Sequence, residues 1–232
     1  MREKICVALD MEPKEAYMAL VKLKGLVGWV KIGPALFTTQ TEFGPSFFTT
    51  AKDLGFKVFA DYKFKDIPSV VAKGISNLSG VADLVTVHVD GGKEMLTAAK
   101  AAGLDIKIIG VTLLTSLSES DLRQFGHTFR QYPGTFTEWY VGRMVDVAVA
   151  GGIDGIVCSA VEVGNVKKVH PNLFCVTPGL KMAGSQSDQK RSSDPKFAYQ
   201  QGSDLLVIGR DIYEAPDMAA KIDEIEKWCL GG

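Results

Sequence analysis

Two apolar rhythms alternate along this chain. Short runs rich in Val, Ile, Leu and Phe occupy residues 5–9, 27–32, 57–62, 84–89, 106–112, 155–159, 173–177 and 205–208, and they are continuous enough to be strands buried on both faces. Between them, over 14–24, 46–54, 69–78, 93–102, 138–150, 161–169, 195–201 and 215–228, apolar residues recur at helical spacing. Gly55, Gly103, Gly151 and Gly202 follow four of these segments, where a helix C-terminus favours glycine. Strand and helix alternate eight times with no linker or low-complexity segment between them. The pattern predicts an α/β fold, a single (β/α)8 TIM barrel forming one domain over residues 1–232.

Composition narrows the setting. With 232 residues, 46% hydrophobic, 23% charged and a net charge of -1, the chain can bury a substantial core and has no basic excess for nucleic acid. The apolar run at 5–9 is too short for a signal peptide and no segment approaches a membrane span, so a cytoplasmic protein is expected. Cys6, Cys158, Cys175 and Cys229 are scattered, as are His88, His127 and His170, without the spacing of a metal site.

The segment Val58-Phe-Ala-Asp-Tyr-Lys-Phe-Lys-Asp-Ile-Pro68 places Asp61, Lys63 and Asp66 within six residues at the end of an apolar run. Residues two apart on a strand project to one side, so Asp61 and Lys63 share a face, and Asp66 follows where the strand gives way to Ile67-Pro68. A lone Asp-x-Lys is ordinarily a solvated ion pair. Here Val58, Phe59 and Ala60 lead in from a buried segment, and Lys31 ends a comparable run.

In a (β/α)8 barrel the reactive residues gather at the C-terminal ends of the strands. Asp10 ends the first run, Lys31 the second, Asp61 and Lys63 the third, Asp83 to His88 flank or end the fourth, and Thr115 follows the fifth. The seventh ends in Thr177-Pro-Gly179 and the eighth in Val207-Ile-Gly-Arg210. Loops after strands seven and eight commonly hold phosphate in this fold; Gly209 lets a ligand approach the backbone, and Arg210 offers a fork of donors. The residues alone therefore indicate an enzyme acting on a phosphate ester through a Lys/Asp centre without a metal.

Taken together, Asp10, Lys31, Asp61-x-Lys63-x-x-Asp66-Ile-Pro, Val176-Thr-Pro-Gly179, Asp188-Gln-Lys-Arg191 and Val207-Ile-Gly-Arg210 resemble orotidine 5′-phosphate decarboxylase over about residues 4–216. The sister 3-keto-gulonate-6-phosphate decarboxylases and hexulose-phosphate synthases share Asp-x-Lys-x-x-Asp but typically continue Ala-Gly and use magnesium. Ile67-Pro68 argues against them. The resemblance implies cofactor-independent, metal-free conversion of orotidine 5′-monophosphate to uridine 5′-monophosphate and carbon dioxide, the last step of de novo pyrimidine synthesis.

It also implies roles. Lys63 is the proton donor, with Lys31 and the aspartates holding its ammonium in place. Asp61 sits beside the substrate carboxylate. Asp10 and Lys31 hold the ribose, Thr115 reads the pyrimidine edge, Pro178 lines the base pocket, and Gln189, Gly209 and Arg210 grip the phosphate. The loop 179–191 closes over the ligand. The chain is expected to be a homodimer in which Asp66 enters the neighbouring active site and reaches the ribose.

Two positions depart from the family pattern. Val70 stands where a threonine usually reaches across the dimer, and Lys181 stands where an arginine is common, keeping the charge without the bidentate fork. The alternative of a catalytically silent nucleotide- or phosphosugar-binding barrel is disfavoured, because a mere binder gains little from a buried charge network whose desolvation is costly.

Overall fold

The computed structural model describes residues 1–39, 46–124, 134–182 and 193–231. Eight parallel strands, β1 (Ile5–Ala8), β2 (Trp29–Ile32), β3 (Lys57–Phe64), β4 (Leu84–His88), β5 (Lys107–Val111), β6 (Gly155–Val157), β7 (Phe174–Leu180) and β8 (Leu205–Ile208), pair in chain order. The barrel closes where β1 pairs β8, with Ile5 opposite Leu206. A ring of helices surrounds it: α1 (Pro13–Leu23), α2 (Phe47–Asp53), α3 (Pro68–Ser76), α4 (Lys93–Ala102), α5 (Glu119–Gln124), α6 (Phe136–Ala150), α7 (Ala160–Val169), α8 (Pro195–Gln200), α9 (Arg210–Tyr213) and α10 (Met218–Leu230).

The expected TIM barrel is thus present, with local differences. β3 and β7 run past the predicted ends at residues 62 and 177, each across an irregularity in its pairing. The short helices α5 and α9 hold too few residues to show an apolar period. Gly55 and Gly202 adopt the positive φ expected after a helix, whereas Gly103 has φ of -95° and Gly152, not Gly151, takes the left-handed conformation. At Gly103 the requirement is space, since a Cβ there would lie 2.6 Å from Ile108.

Two apolar layers set the frame. The larger lies between strands and helices, while Cys6, Ala8, Trp29, Phe59, Leu84, Ile109, Val176, Leu205 and Val207 pack inside the barrel. At the N-terminal end one device recurs before β4, β6 and β8. Asp83, Asp154 and Asp204 each accept a hydrogen bond from the backbone of the preceding strand, at Val58, Ile108 and Cys175. Each also pairs with a lysine of the helix leading into that strand: Lys52, Lys100 and Lys167. These clips hold the end of the barrel opposite the charged residues, leaving the C-terminal end free for chemistry.

Candidate active site

Alternate residues of each strand enter the barrel. On β2, β3 and β4 the inward residues Trp29, Phe59 and Leu84 belong to the inner core, and the residues two further along are Lys31, Asp61 and Thr86. One step along the pleat therefore turns a dry apolar floor into a polar layer. Lys31 and Asp61 are buried, at 8% and 7% exposure. Lys31 Nζ lies 2.9 Å from Asp10 Oδ1 and 3.2 Å from Asp61 Oδ2, and Lys63 Nζ lies 2.8 Å from the same Asp61 oxygen. Asp10, Lys31, Asp61 and Lys63 thus form a row of alternating charge running from β1 to β3.

Above this row opens a cavity of about 650 Å³. Asp10, Lys31, Asp61, Lys63, Thr115, Pro178, Lys181, Gly209 and Arg210 all line it, so these sequence-predicted residues share one chamber. Arg210 is exposed at the start of α9, just after β8, the strand that pairs with β1. A side chain at Gly209 would meet only ordinary contacts with Tyr213 and Ala8, and its absence keeps that wall low. Asp66 is not part of this lining. It is exposed in the turn before α3, where its Oδ1 accepts from the Ile67 N–H at 2.7 Å. Gln189 lies outside the described residues, as does the greater part of the 179–191 loop.

The model of the orotidine 5′-phosphate decarboxylase / HUMPS family matches residues 3–225. This chain belongs to that family. It is similar to proteins named orotidine 5′-phosphate decarboxylase from Erythrobacter litoralis, 40% identical with 97% of this chain and 99% of the relative covered, and from Pseudomonas putida strain W619, 39% identical with 95% and 96% covered. The crystal structure of orotidine 5′-phosphate decarboxylase from Lactobacillus acidophilus superposes with a TM-score of 0.80 at 29% identity, covering 98% of this chain and 99% of that one.

In this decarboxylase-family barrel the charges hold one another. Burial is the strongest single influence on Lys31 and opposes its charge, yet Asp61 and Asp10 together outweigh it and raise its pKa above the usual lysine value. Burial likewise pushes Asp61 toward the neutral acid, and Lys31, Lys63 and the hydrogen bonds from Lys63 and Thr86 more than reverse it, leaving its pKa below the usual aspartate value. His88, at the end of β4, is held below the ordinary histidine value by burial, with Lys65 and Lys63 adding to the effect against Asp90 and Asp61.

Two contributors carry little signal in the sequence. A Cβ on Gly33 would lie 2.8 Å from Asp10 Oδ1 and 3.3 Å from Lys31 Nζ, so a glycine two residues beyond Lys31 makes room for that pair. Thr86 bonds both Asp61 and Lys63, although in sequence it is one more β-branched residue of an apolar strand. The only available signals were a small residue and a hydroxyl at inward positions near strand ends. On the opposite face of β3, Tyr62 stacks between Phe37 and Phe64, with ring centroids 3.9 and 4.8 Å away, and so fixes the strand from outside. Beyond β7, the Lys181 N–H donates to the Ser193 carbonyl, the Ser193 N–H to the Gly179 carbonyl, and the Met182 N–H to the Asp211 carboxylate.

Proposed function

We infer that this chain decarboxylates orotidine 5′-monophosphate to uridine 5′-monophosphate and carbon dioxide, the final step of UMP biosynthesis, as a single barrel domain. The observation that carries this reading is the Asp10–Lys31–Asp61–Lys63 row at the floor of a cavity whose mouth presents Arg210.

The chemistry matches that arrangement. The bond from carbon 6 of the pyrimidine to its carboxylate breaks, carbon dioxide leaves, and the electron pair stays on carbon 6 in the ring plane, where the π system cannot take it up. Lys63 supplies a fixed ammonium beside that growing charge and then delivers its proton to carbon 6. Lys31 and Asp61 hold the ammonium in a site that needs no reorganisation as the charge develops. Asp61 also stands beside the substrate carboxylate; two like charges about 4 Å apart repel by roughly 4 kcal/mol at an effective dielectric near 20, a repulsion that ends when carbon dioxide departs. Stabilisation by Lys63 is the larger effect because it acts on charge that exists only in the transition state. The row itself supplies this electrostatic work, so the reading calls for neither cofactor nor metal.

Binding follows the cavity. Asp10 and Lys31 hold the ribose, Thr115 and Pro178 meet the pyrimidine, and Lys181, Gly209 and Arg210, with Gln189, take the phosphate. The enzyme works as a homodimer in which Asp66 completes the neighbour's site. This is supported by the place of Asp66 outside its own cavity, between the charged row and exposed apolar residues, Ile67 at 62% and Val70 at 48%. Val70 offers no hydroxyl to that contact. Among the described residues no helix is long and apolar enough to cross a membrane. Four buried free thiols support a cytoplasmic, reducing setting.

Loss of orotidine-ring absorbance on mixing, with uridine 5′-monophosphate identified by chromatography, is the expected result. Absence of turnover above the no-enzyme background would overturn the assignment.

A further inference from the structure

The pairing of β3 with β4 breaks where the catalytic pair sits. Ala60 is opposite Val85, but the next paired residue of β3 is Phe64, opposite Val87, so four steps on one strand meet two on the other. Asp61, Tyr62 and Lys63 fall within this irregularity. Lys63 has φ of 50°, which makes it the one non-glycine residue with positive φ among the described residues. A long side chain held in the left-handed region crowds its own Cβ against the backbone and persists only where its surroundings enforce it.

What takes the place of the missing ladder is a side chain. The Thr86 hydroxyl accepts from the Lys63 backbone N–H at 3.0 Å and donates to Asp61 Oδ1 at 2.9 Å. Thr86 is fully buried, at 0% exposure. A hydroxyl carries one proton, and the amide can only donate, so the directions are settled: the amide gives to Thr86 and Thr86 gives to the carboxylate. With Oδ1 occupied by Thr86, Asp61 turns Oδ2 toward both ammonium groups, Lys63 at 2.8 Å and Lys31 at 3.2 Å.

We propose that Thr86 is a positioning residue for the decarboxylation, its single hydroxyl fixing both the left-handed backbone of Lys63 and the orientation of the Asp61 carboxylate. It acts through those two residues and touches no reacting atom. Its kinetic consequence rests on the decarboxylase reading above, whereas its structural consequence does not.

The test compares Thr86→Val, which keeps the shape and removes the hydroxyl, with Thr86→Ser, which keeps the hydroxyl. In Thr86→Val the Lys63 amide should exchange with solvent at least ~10-fold faster, kcat should fall ~100-fold, the magnitude typical of losing one preorganised polar contact, and affinity for uridine 5′-monophosphate should change by less than ~3-fold. Thr86→Ser should restore exchange and kcat to within ~5-fold of wild type. Unchanged Lys63 amide protection in Thr86→Val would overturn the proposal whether or not the enzyme turns over. Faster exchange with unchanged kcat in an active enzyme would overturn it as well. A wild type without turnover, by contrast, would overturn the assigned reaction and leave amide exchange to decide the role of Thr86. Should Thr86→Val fail to fold, Thr86→Cys, with a weak donor and acceptor of similar size, takes its place under the same criteria.

Discussion

Asp61 and Lys63, two residues apart on β3, meet through Asp61 Oδ2 and Lys63 Nζ at 2.8 Å, with the carboxylate buried and the lysine open to the cavity. The buried partner fixes the accessible one. An ammonium held in this way faces the ligand space before any substrate arrives, which is the condition for stabilising charge without reorganisation.

Lys63→Ala should therefore abolish turnover while leaving product binding measurable. Loss of the proton donor alone is worth roughly 10²–10⁴ in rate, and affinity for uridine 5′-monophosphate should move far less. Retention of more than about a tenth of wild-type kcat, a barrier change under ~1.4 kcal/mol, would contradict the role given to Lys63.

Arg210→Ala should weaken the nucleotide much more than the nucleoside. A charge-assisted contact to phosphate is worth several kcal/mol when desolvated, so uridine 5′-monophosphate should lose ~100-fold in affinity and uridine less than ~3-fold. Calorimetric titration of both ligands decides this. Equal losses would place Arg210 away from the phosphate.

Mixing Asp66→Ala with Lys63→Ala chains should restore activity. If Lys63 serves its own subunit and Asp66 the neighbour, a heterodimer has one site with both defects and one with neither, as a two-fold contact requires. Turnover is measured after subunit exchange, with exchange confirmed by a tagged chain. Verified heterodimers as inactive as either parent would return Asp66 to its own subunit.

The pH dependence of stability should show two separate acid steps. His88 has its folded pKa below the ordinary histidine value of 6.5, so its contribution is complete above pH 6.5 and is lost as pH falls toward the folded value. Asp61 has its folded pKa below 3.8, so its contribution is present above pH 3.8 and disappears only in stronger acid. Lys31 has the opposite sign: raised above 10.5, it stabilises below that pH and is lost in more alkaline solution. Thermal unfolding across this range should show His88→Asn removing the step just below pH 6.5 and sparing the lower one. A wild-type step that survives His88→Asn would assign it to another group.

The alternation of strand and helix, and the charges at strand ends, were legible in the sequence because both are local. A strand buried on two faces must be continuously apolar, an outer helix must carry one apolar stripe, and a charge closing an apolar strand is visible within six residues. Asp10, Lys31, Asp61 and Lys63 could be picked out on that ground, as could Arg210 beside Gly209. Tertiary structure decided what these residues touch. Lys31 reaches Asp10 and Asp61 because barrel closure sets β1, β2 and β3 side by side, a relationship between positions 21 and 30 residues apart in the chain. The broken β3–β4 register, the left-handed Lys63 and the Thr86 hydroxyl that bridges it to Asp61 exist only once two strands pair. Hydrogen-bond partners and the room that Gly33 provides are set by distances across the barrel, which the linear order of side chains does not specify.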